Sequence, residues 1–139
     1  MGFGVIERIK RNAEKLTKTL KAVELLDEKE LPHLYESHRL HNEALRLAGE
    51  LMADALYMKD TAYNERKRKQ AEIMLSDVGS TVAEKQAKAE MATVEEREKE
   101  AQGNYTYTRY KALHQSIDHK LYDLKAKRAA MERELTRGD

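Results

Sequence analysis

The chain has 139 residues, a formal net charge of +1 and 37% charged residues, but only 6% aromatic residues. So few large apolar side chains cannot fill the thick core of an α/β enzyme, although they can coat narrow contacts between helices. The absence of cysteine excludes a disulfide framework and a thiolate zinc site. No apolar run approaches the ~20 residues of a membrane span, and we expect a cytoplasmic protein with no membrane partner.

The first predicted element is a basic amphipathic helix over about residues 3–26, within an N-terminal segment 1–30. Its apolar residues recur in steps of three and four, which predicts one buried seam. A coiled-coil arm with a solvated basic face is the simpler interpretation, and contact with a membrane surface or nucleic acid is the alternative. The seam consists of Ile9, Ala13, Leu16, Leu20 and Val23.

The second predicted element is a long helix over about residues 33–76. Asp27 followed by Glu30 resembles a capping box that opens it, and Pro32 is tolerated only near a first turn. Its apolar residues form two overlapping stripes, which indicates contact with two neighbouring helices. One stripe runs through Leu34, His38, His41, Leu45, Ala48, Met52 and Ala55, and the other through Leu40, Ala44, Leu47 and Leu51.

A tip over residues 77–93 is expected between two long helices. Gly79 suits a left-handed helix stop, and a short, weakly packed helix follows it. Two further capping boxes are predicted, one from Thr81 with Glu84 and one from Thr93 with Glu96.

The last predicted helix covers residues 94–136 and carries the most regular seam of the chain. Gly103 is its expected weak point, where a kink is allowed, and Arg128 interrupts the seam. A lone seam of this length leaves apolar groups in water unless a helix or another protomer covers it, so we expect a homo-oligomer. The predicted oligomer seam is Tyr110, His114, Ile117, Leu121, Leu124, Met131 and Leu135.

Together these elements predict an all-α fold: an elongated antiparallel helical hairpin or bundle over residues 31–139, with coiled-coil seams, that oligomerises through its long helices. Charge supports this arrangement, because basic residues are in excess in 1–26, 57–75 and 104–139, and acidic residues in 27–56 and 76–103. Alternating blocks of this kind favour antiparallel helices or stacked protomers in a defined register.

Catalytic and metal-binding motifs are missing from the sequence. Glu30 and His33 have the Glu-x-x-His spacing of di-metal bundles, but Pro32 lies between them. His38, His41 and the other seam histidines are therefore interpreted as structural, with a pH-sensitive interface as an alternative. Neither a nucleophile motif nor a glycine-rich phosphate loop occurs. We expect no enzyme activity, no metal and no cofactor.

One constellation remains, in which tyrosines alternate with basic residues on both long helices. Tyrosine stacking on bases, with lysine and arginine on phosphate, is the usual means of binding single strands without reading sequence. An antiparallel hairpin brings the two clusters to similar heights. The alternative is a solvated charged face with core tyrosines. The candidate nucleic-acid-binding residues are Tyr57, Lys59, Tyr63, Arg66, Lys67, Arg68, Lys69, Tyr105, Arg109 and Lys111.

The stretch from Ala55 to Lys59, leading through Tyr63 into the basic run, resembles the first long helix of UvsY-type phage recombination mediators. The stretch 110–113, continuing through Asp118, Asp123 and Lys125 to 127–128, is similar to the C-terminal helix of that family. The likeness covers about residues 40–135. It implies a non-enzymatic homo-oligomer that binds single-stranded DNA and helps to load a recombinase over single-strand-binding protein.

In that family-based reading, the basic residues Lys59 and 66–69 contact phosphate, and Tyr57 or Tyr63 stacks on a base. A second function class stays open. The chain also fits a helical protein-interaction module, such as a scaffold or a phage-encoded inhibitor of a host protein, without nucleic-acid binding. The response of binding to salt separates the two classes, because only phosphate contacts release counterions.

Overall fold

The computed structural model describes residues 2–76 and 79–138, with side chains from Gly4 onward. Within these residues the chain forms four α-helices and no strand: α1 (Gly2–Glu24), α2 (Leu31–Ser76), α3 (Val82–Ala92) and α4 (Val94–Arg137). The expected all-α class is confirmed. At 1.5 Å per residue the 46-residue α2 and the 44-residue α4 are each about 65–70 Å long.

The central element is α2, which packs against each of the other three helices. The antiparallel direction of α4 follows from its polar contacts, since Glu100 meets Arg66 near one end of α2 and Glu132 meets Tyr35 near the other. The N-terminal helix α1 folds back along α2, where the Arg8 guanidinium donates two 2.7 Å hydrogen bonds to Asp54.

The apolar core lies where α1, α2 and α4 meet. Because α2 packs against both α1 and α4, it needs an apolar stripe toward each of them. Contact of α2 with two neighbours, expected from the sequence, is thus observed. The buried cluster is formed by Leu16 of α1, by Ala44, Leu47, Ala48 and Leu51 of α2, and by Ile117 of α4.

The predicted oligomer seam of α4 faces α2 of the same chain. Ile117 and Leu124 are buried, and Tyr110 and Leu121 pack partly against the core. Leu135, at the last turn, keeps 59% of its surface exposed. Because α2 covers most of this seam, it does not by itself require a second protomer, and the homo-oligomer stays a prediction.

Gly103 is a close-packing position in an unbroken α4, in contrast to the weak point expected there. A Cβ built on Gly103 would lie 3.0 Å from both the Cβ and the backbone N of Lys59, and 3.1 Å from the Ala55 carbonyl oxygen. The backbones of α2 and α4 therefore touch at this level. A side chain larger than hydrogen does not fit between them without separating the helices.

The helix ends correct two of the predicted caps. Asp27 does not cap a helix with Glu30; its carboxylate accepts from the Lys29 N–H at 3.0 Å, in a turn before α2. Thr93 does not cap α4, because its hydroxyl donates instead to the Ala89 carbonyl at 2.7 Å. In both places the side chain forms a hydrogen bond with a nearby backbone group instead of with the first turn of the following helix.

The third predicted cap is confirmed. Thr81 accepts a 3.2 Å hydrogen bond from the Glu84 N–H and caps α3. Gly79 has a φ of +92°, a backbone conformation that suits glycine.

Ion pairs join the oppositely charged blocks within one chain. Glu28 at the start of the first acidic block accepts from Lys120 at 3.0 Å and from Lys127 at 3.4 Å. The two blocks near the tip meet through Lys69 and Glu96 at 2.5 Å. The charge pattern therefore agrees with the antiparallel register of the helices within one chain, which was one of its two interpretations.

Candidate nucleic-acid interface

The basic run 66–69 does not form one surface. Successive residues of an α-helix are rotated by about 100°, so the four side chains are spread around α2 and only Arg66 and Lys69 share a face. Arg66 and Lys69 turn toward α4 and pair with acidic residues there, Arg66 with Glu100 at 3.0 Å. Arg68 lies on the exposed side of α2, where it binds both Glu65 and Glu72 of its own helix.

A cleft of about 500 Å³ opens between α2 and α4 on one flank of the bundle, and we call it the Lys59 cleft. Three of its side chains are cationic and one is a carboxylate. Glu100 already accepts a hydrogen bond from Arg66, so the cleft keeps an excess of positive charge. Its lining residues are Lys59 and Arg66 of α2 and Arg97, Glu100, Ala101 and Asn104 of α4.

An aromatic ring stands beside the Lys59 cleft. The ring of Tyr63 has the Arg66 guanidinium 5.1 Å and the Lys67 ammonium 5.5 Å from its centroid. Tyr63 follows Lys59 by one helical turn and is exposed. On α4 the Lys111 ammonium lies 6.0 Å from the centroid of Tyr107. Cations held over ring faces in this way are weak contacts that a base and a phosphate can share.

The predicted residues divide into those at the cleft and those elsewhere. Lys59, Tyr63, Arg66 and Lys67 come together there. The other six predicted residues lie elsewhere. Arg68 and Lys69 are paired with glutamates, and Tyr57 borders a different depression. Tyr105 is about 200° around α4 from Gly103, which touches α2, and Arg109 and Lys111 are outside the cleft lining. Arg109 lies 5.7 Å from the Tyr110 ring.

The tyrosine and basic residues of α2 and those of α4 lie at similar positions along the bundle axis, as the sequence predicts. Gly103 lies against Lys59, and because the helices are antiparallel, Tyr105 and Tyr57 stand at nearly the same level. Two residues were missed by the sequence reasoning: Arg97, which lies in the acidic block 76–103, and Asn104, which carries no charge. Their spacing of seven residues places both on one face of α4, and this spacing is the sequence feature that could have grouped them.

A second depression, the apolar furrow, lies on the other flank of α4, with α2 as its floor and α1 and α4 as its walls. Its volume is about 510 Å³. Ile6 and Tyr57 stand at its mouth with 45% and 53% of their surfaces exposed. The furrow is lined by Val5, Ile6, Ile9 and Lys10 of α1, by Tyr57, Met58, Thr61, Ala62 and Glu65 of α2, and by Glu96, Lys99, Gln102 and Thr106 of α4.

Glu96 is the buried acid of the furrow, with 7% of its surface exposed. One of its oxygens, Oε1, accepts the 2.5 Å hydrogen bond from Lys69. This bond is the main reason why the pKa of Glu96 lies below its usual range. The other oxygen, Oε2, is buried and has no hydrogen-bond partner in good geometry. Glu96 is therefore ionised at neutral pH with half of its accepting capacity unused.

The buried histidine of α2 is part of a structural network. His41 Nδ1 lies 2.8 Å from the Ser37 carbonyl oxygen, and because a carbonyl only accepts, Nδ1 carries the proton. The Ser37 hydroxyl donates to Glu28 at 3.2 Å. Burial favours a raised pKa at Glu28, but hydrogen bonds from Lys120, Ser37 and Lys127 outweigh it and lower the pKa. These bonds tie the 25–30 connection to α2 and α4.

Neither a metal site nor a membrane span is found in the part of the chain that the structure describes. Among residues 2–76 and 79–138, no three or more histidine, aspartate or glutamate side chains are grouped to hold a metal ion. No helix in these ranges has an apolar stretch long enough to cross a bilayer.

Comparison with known proteins adds no further assignment: no protein-family model, curated protein or solved structure matches this chain. The resemblance to UvsY-type mediators therefore stays an expectation from the sequence.

Proposed function

We propose that this protein is a non-enzymatic single-stranded-DNA-binding accessory protein of the recombination-mediator type. The observation that carries the proposal is the Lys59 cleft, where three cations from two helices surround one carboxylate beside the exposed Tyr63 ring. The cations suit a phosphate backbone, and the ring suits one unpaired base.

The chemistry of the cleft favours a single strand over a duplex. Lys59 and Arg66 of α2 and Arg97 of α4 line an open cleft from both sides, and a flexible single-stranded backbone bends more easily than a stiff double helix to reach all three cations. Tyr63 offers a stacking face only to a base that is not already stacked in a duplex. The binding set proposed is thus narrower than the one predicted from sequence: Lys59, Tyr63, Arg66 and Lys67, with Arg97 and Asn104 added.

The biological role comes from the family resemblance. A mediator of this type holds single-stranded DNA as a homo-oligomer and assists a recombinase in replacing single-strand-binding protein. In this proposal, several copies of the elongated bundle bind side by side along one DNA strand, and each copy contributes one cleft. Recombinase or single-strand-binding protein is accordingly the proposed protein partner.

Replacing three cleft cations tests the proposal. Lys59→Gln, Lys67→Gln and Arg97→Gln together remove three positive charges and leave the Arg66–Glu100 pair intact. We expect weaker binding of labelled oligo-dT in fluorescence anisotropy. The slope of log affinity against log salt should become less steep by about 2, because each single-strand phosphate contact contributes ~0.7.

The matched control removes the same charge at the other end of α4, by Lys125→Gln, Arg133→Gln and Arg137→Gln. It should leave both the affinity and the salt slope near those of the parent. Equal losses in the two triple variants would mean a nonspecific charge effect. No binding of oligo-dT by the parent at low salt would refute DNA binding altogether.

The alternative function, a helical protein-interaction module without nucleic-acid binding, is favoured by one specific observation. Glutamates already neutralise Arg68 and Lys69, the two residues of the basic run 66–69 that the cleft does not use. A partner bound through apolar contacts should show little change of affinity with salt. The salt titration therefore distinguishes the alternative from the proposal.

A further inference from the structure

The furrow has the shape of a helix bundle with one helix missing. The walls α1 and α4 run parallel to each other and antiparallel to α2, and between them they leave part of α2 open around Met58. In an up-and-down four-helix bundle, neighbouring helices are antiparallel. The helices α1, α2 and α4 have the directions of three of these four helices. A helix antiparallel to both walls would be the fourth.

The dimensions of the furrow agree with a short helix. The α4 wall extends from Glu96 to Thr106, which is about 15 Å at 1.5 Å per residue, or roughly three helical turns. The floor is apolar at Met58 and Ala62, and Ile6 and Tyr57 expose apolar surface at the mouth. An apolar stripe of about three turns would cover all four side chains.

A buried polar atom adds a chemical requirement. Glu96 Oε2 is buried without a partner although Glu96 is ionised. Leaving such an acceptor unpaired costs stability, and a donor that reaches it recovers that cost. The side chain best able to donate to a carboxylate from an apolar helix face is a lysine or arginine, whose long stem packs against apolar neighbours.

The charges on α1 and α4 indicate which residues should flank the apolar stripe of a helix docked in the furrow. Lys10 of α1 and Lys99 of α4 stand on opposite sides of the furrow. Acidic residues along both edges of an incoming helix would therefore lie opposite cations, as at the flanking positions of a coiled coil. Nucleic acid does not match this surface, since Glu65 and Glu96 also line it.

We infer that the furrow docks an amphipathic helix of a partner protein, with one lysine or arginine in its apolar stripe and acidic residues on both edges. On docking, the Glu96 carboxylate turns toward the basic side chain and accepts its hydrogen bond, and the apolar side chains cover Ile6, Met58 and Tyr57. This site is separate from the Lys59 cleft, so one protein can hold DNA on one flank of α4 and a protein on the other.

Two blocked helical peptides of about 15 residues test the inference by fluorescence anisotropy with the full chain. Both consist of alanine and glutamate around a leucine stripe. One carries a single lysine in the stripe, and its twin carries norleucine there. We expect the lysine peptide to bind with a Kd on the order of 10 µM and the twin about tenfold more weakly.

Variants identify the surface. Ile6→Glu and Tyr57→Glu, both at exposed positions, should each weaken peptide binding about tenfold and leave oligo-dT binding unchanged. Tyr122→Glu, the same kind of change at an exposed residue outside the furrow, should change neither. Glu96→Gln should abolish the preference for the lysine peptide, whereas Glu95→Gln, at the exposed neighbour, should preserve it.

Several outcomes would overturn the inference. They are equal binding of the two peptides by the parent, no binding at about 1 mM, and displacement of the peptide by oligo-dT. Self-association that Ile6→Glu removes would assign the furrow to a second copy of the chain instead. Loss of oligo-dT binding in the cleft variants bears only on the proposed function, so the two proposals fail separately.

Discussion

Replacing Gly103 by alanine probes the closest contact between the two long helices. The added Cβ would stand 3.0 Å from two Lys59 atoms and 3.1 Å from the Ala55 carbonyl oxygen. Ordinary carbon contacts are about 3.5–4.0 Å, so α4 must retreat by about half an ångström. One Lys59 atom and the Ala55 oxygen belong to the helical backbone of α2, which yields less readily than a side chain.

The expected free-energy change combines two opposing effects. Overpacking of this kind costs about 1–3 kcal/mol. Alanine in a helix interior is favoured over glycine by about 1 kcal/mol. We therefore expect Gly103→Ala to lower the free energy of unfolding by about 1 kcal/mol, which corresponds to a Tm lower by roughly 4 °C at this chain length.

Gly49→Ala is the matched control, because Gly49 lies inside α2 and a Cβ built there meets nothing within 4 Å. Only the propensity gain applies, so this variant should be more stable than the parent by about 1 kcal/mol. Urea unfolding followed by circular dichroism measures both. Stabilisation by Gly103→Ala equal to that of Gly49→Ala would refute the close contact of α2 and α4.

Two further predictions concern the α2–α4 contact. Leu124→Ala should lower the free energy of unfolding by about 2–5 kcal/mol, whereas Leu135→Ala should change it by less than about 0.5 kcal/mol; similar losses in urea unfolding would contradict the observed burial. The pKa of Glu96 is depressed, so the stability from its bond to Lys69 is fully present above about pH 4.3 and is lost as the pH falls through the folded-state pKa. Lys69→Met should therefore be less stable than the parent at neutral pH and approach it in acid, and a difference independent of pH would exclude this pair as its source.

The sequence by itself determined the helices and much of their pairing. The three- and four-residue periodicity located α1, α2 and α4 to within a few residues, because burial on one face requires that spacing. The alternating charge blocks indicated an antiparallel register, which the pairs of Glu28 with Lys120 and of Glu96 with Lys69 realise. Gly79 was expected in a left-handed conformation, and its φ is +92°.

Interactions between helices decided what local patterns could not. Arg128 interrupts the seam in the sequence, but in the fold its guanidinium lies 4.4 Å from the Tyr35 ring centroid and binds Glu132. Gly103 reads as a flexible point by propensity, yet the close approach of α2 makes it a packing requirement. In both cases the deciding neighbour lies far away along the chain.

The candidate site shows the same division. The charges in the sequence identified the basic run 66–69, but the role of each residue depends on the acids that its side chain meets. Arg66 lines the cleft, Lys67 stands beside it over the Tyr63 ring, and Arg68 and Lys69 are paired with glutamates. Arg97 joins that cleft because the antiparallel register places the start of α4 opposite the end of α2. Residue types and their periodicity are local properties that a sequence displays directly. Which charges are neutralised, and which surfaces become clefts, follows from the rotation and register of packed helices, and these are set by the tertiary structure.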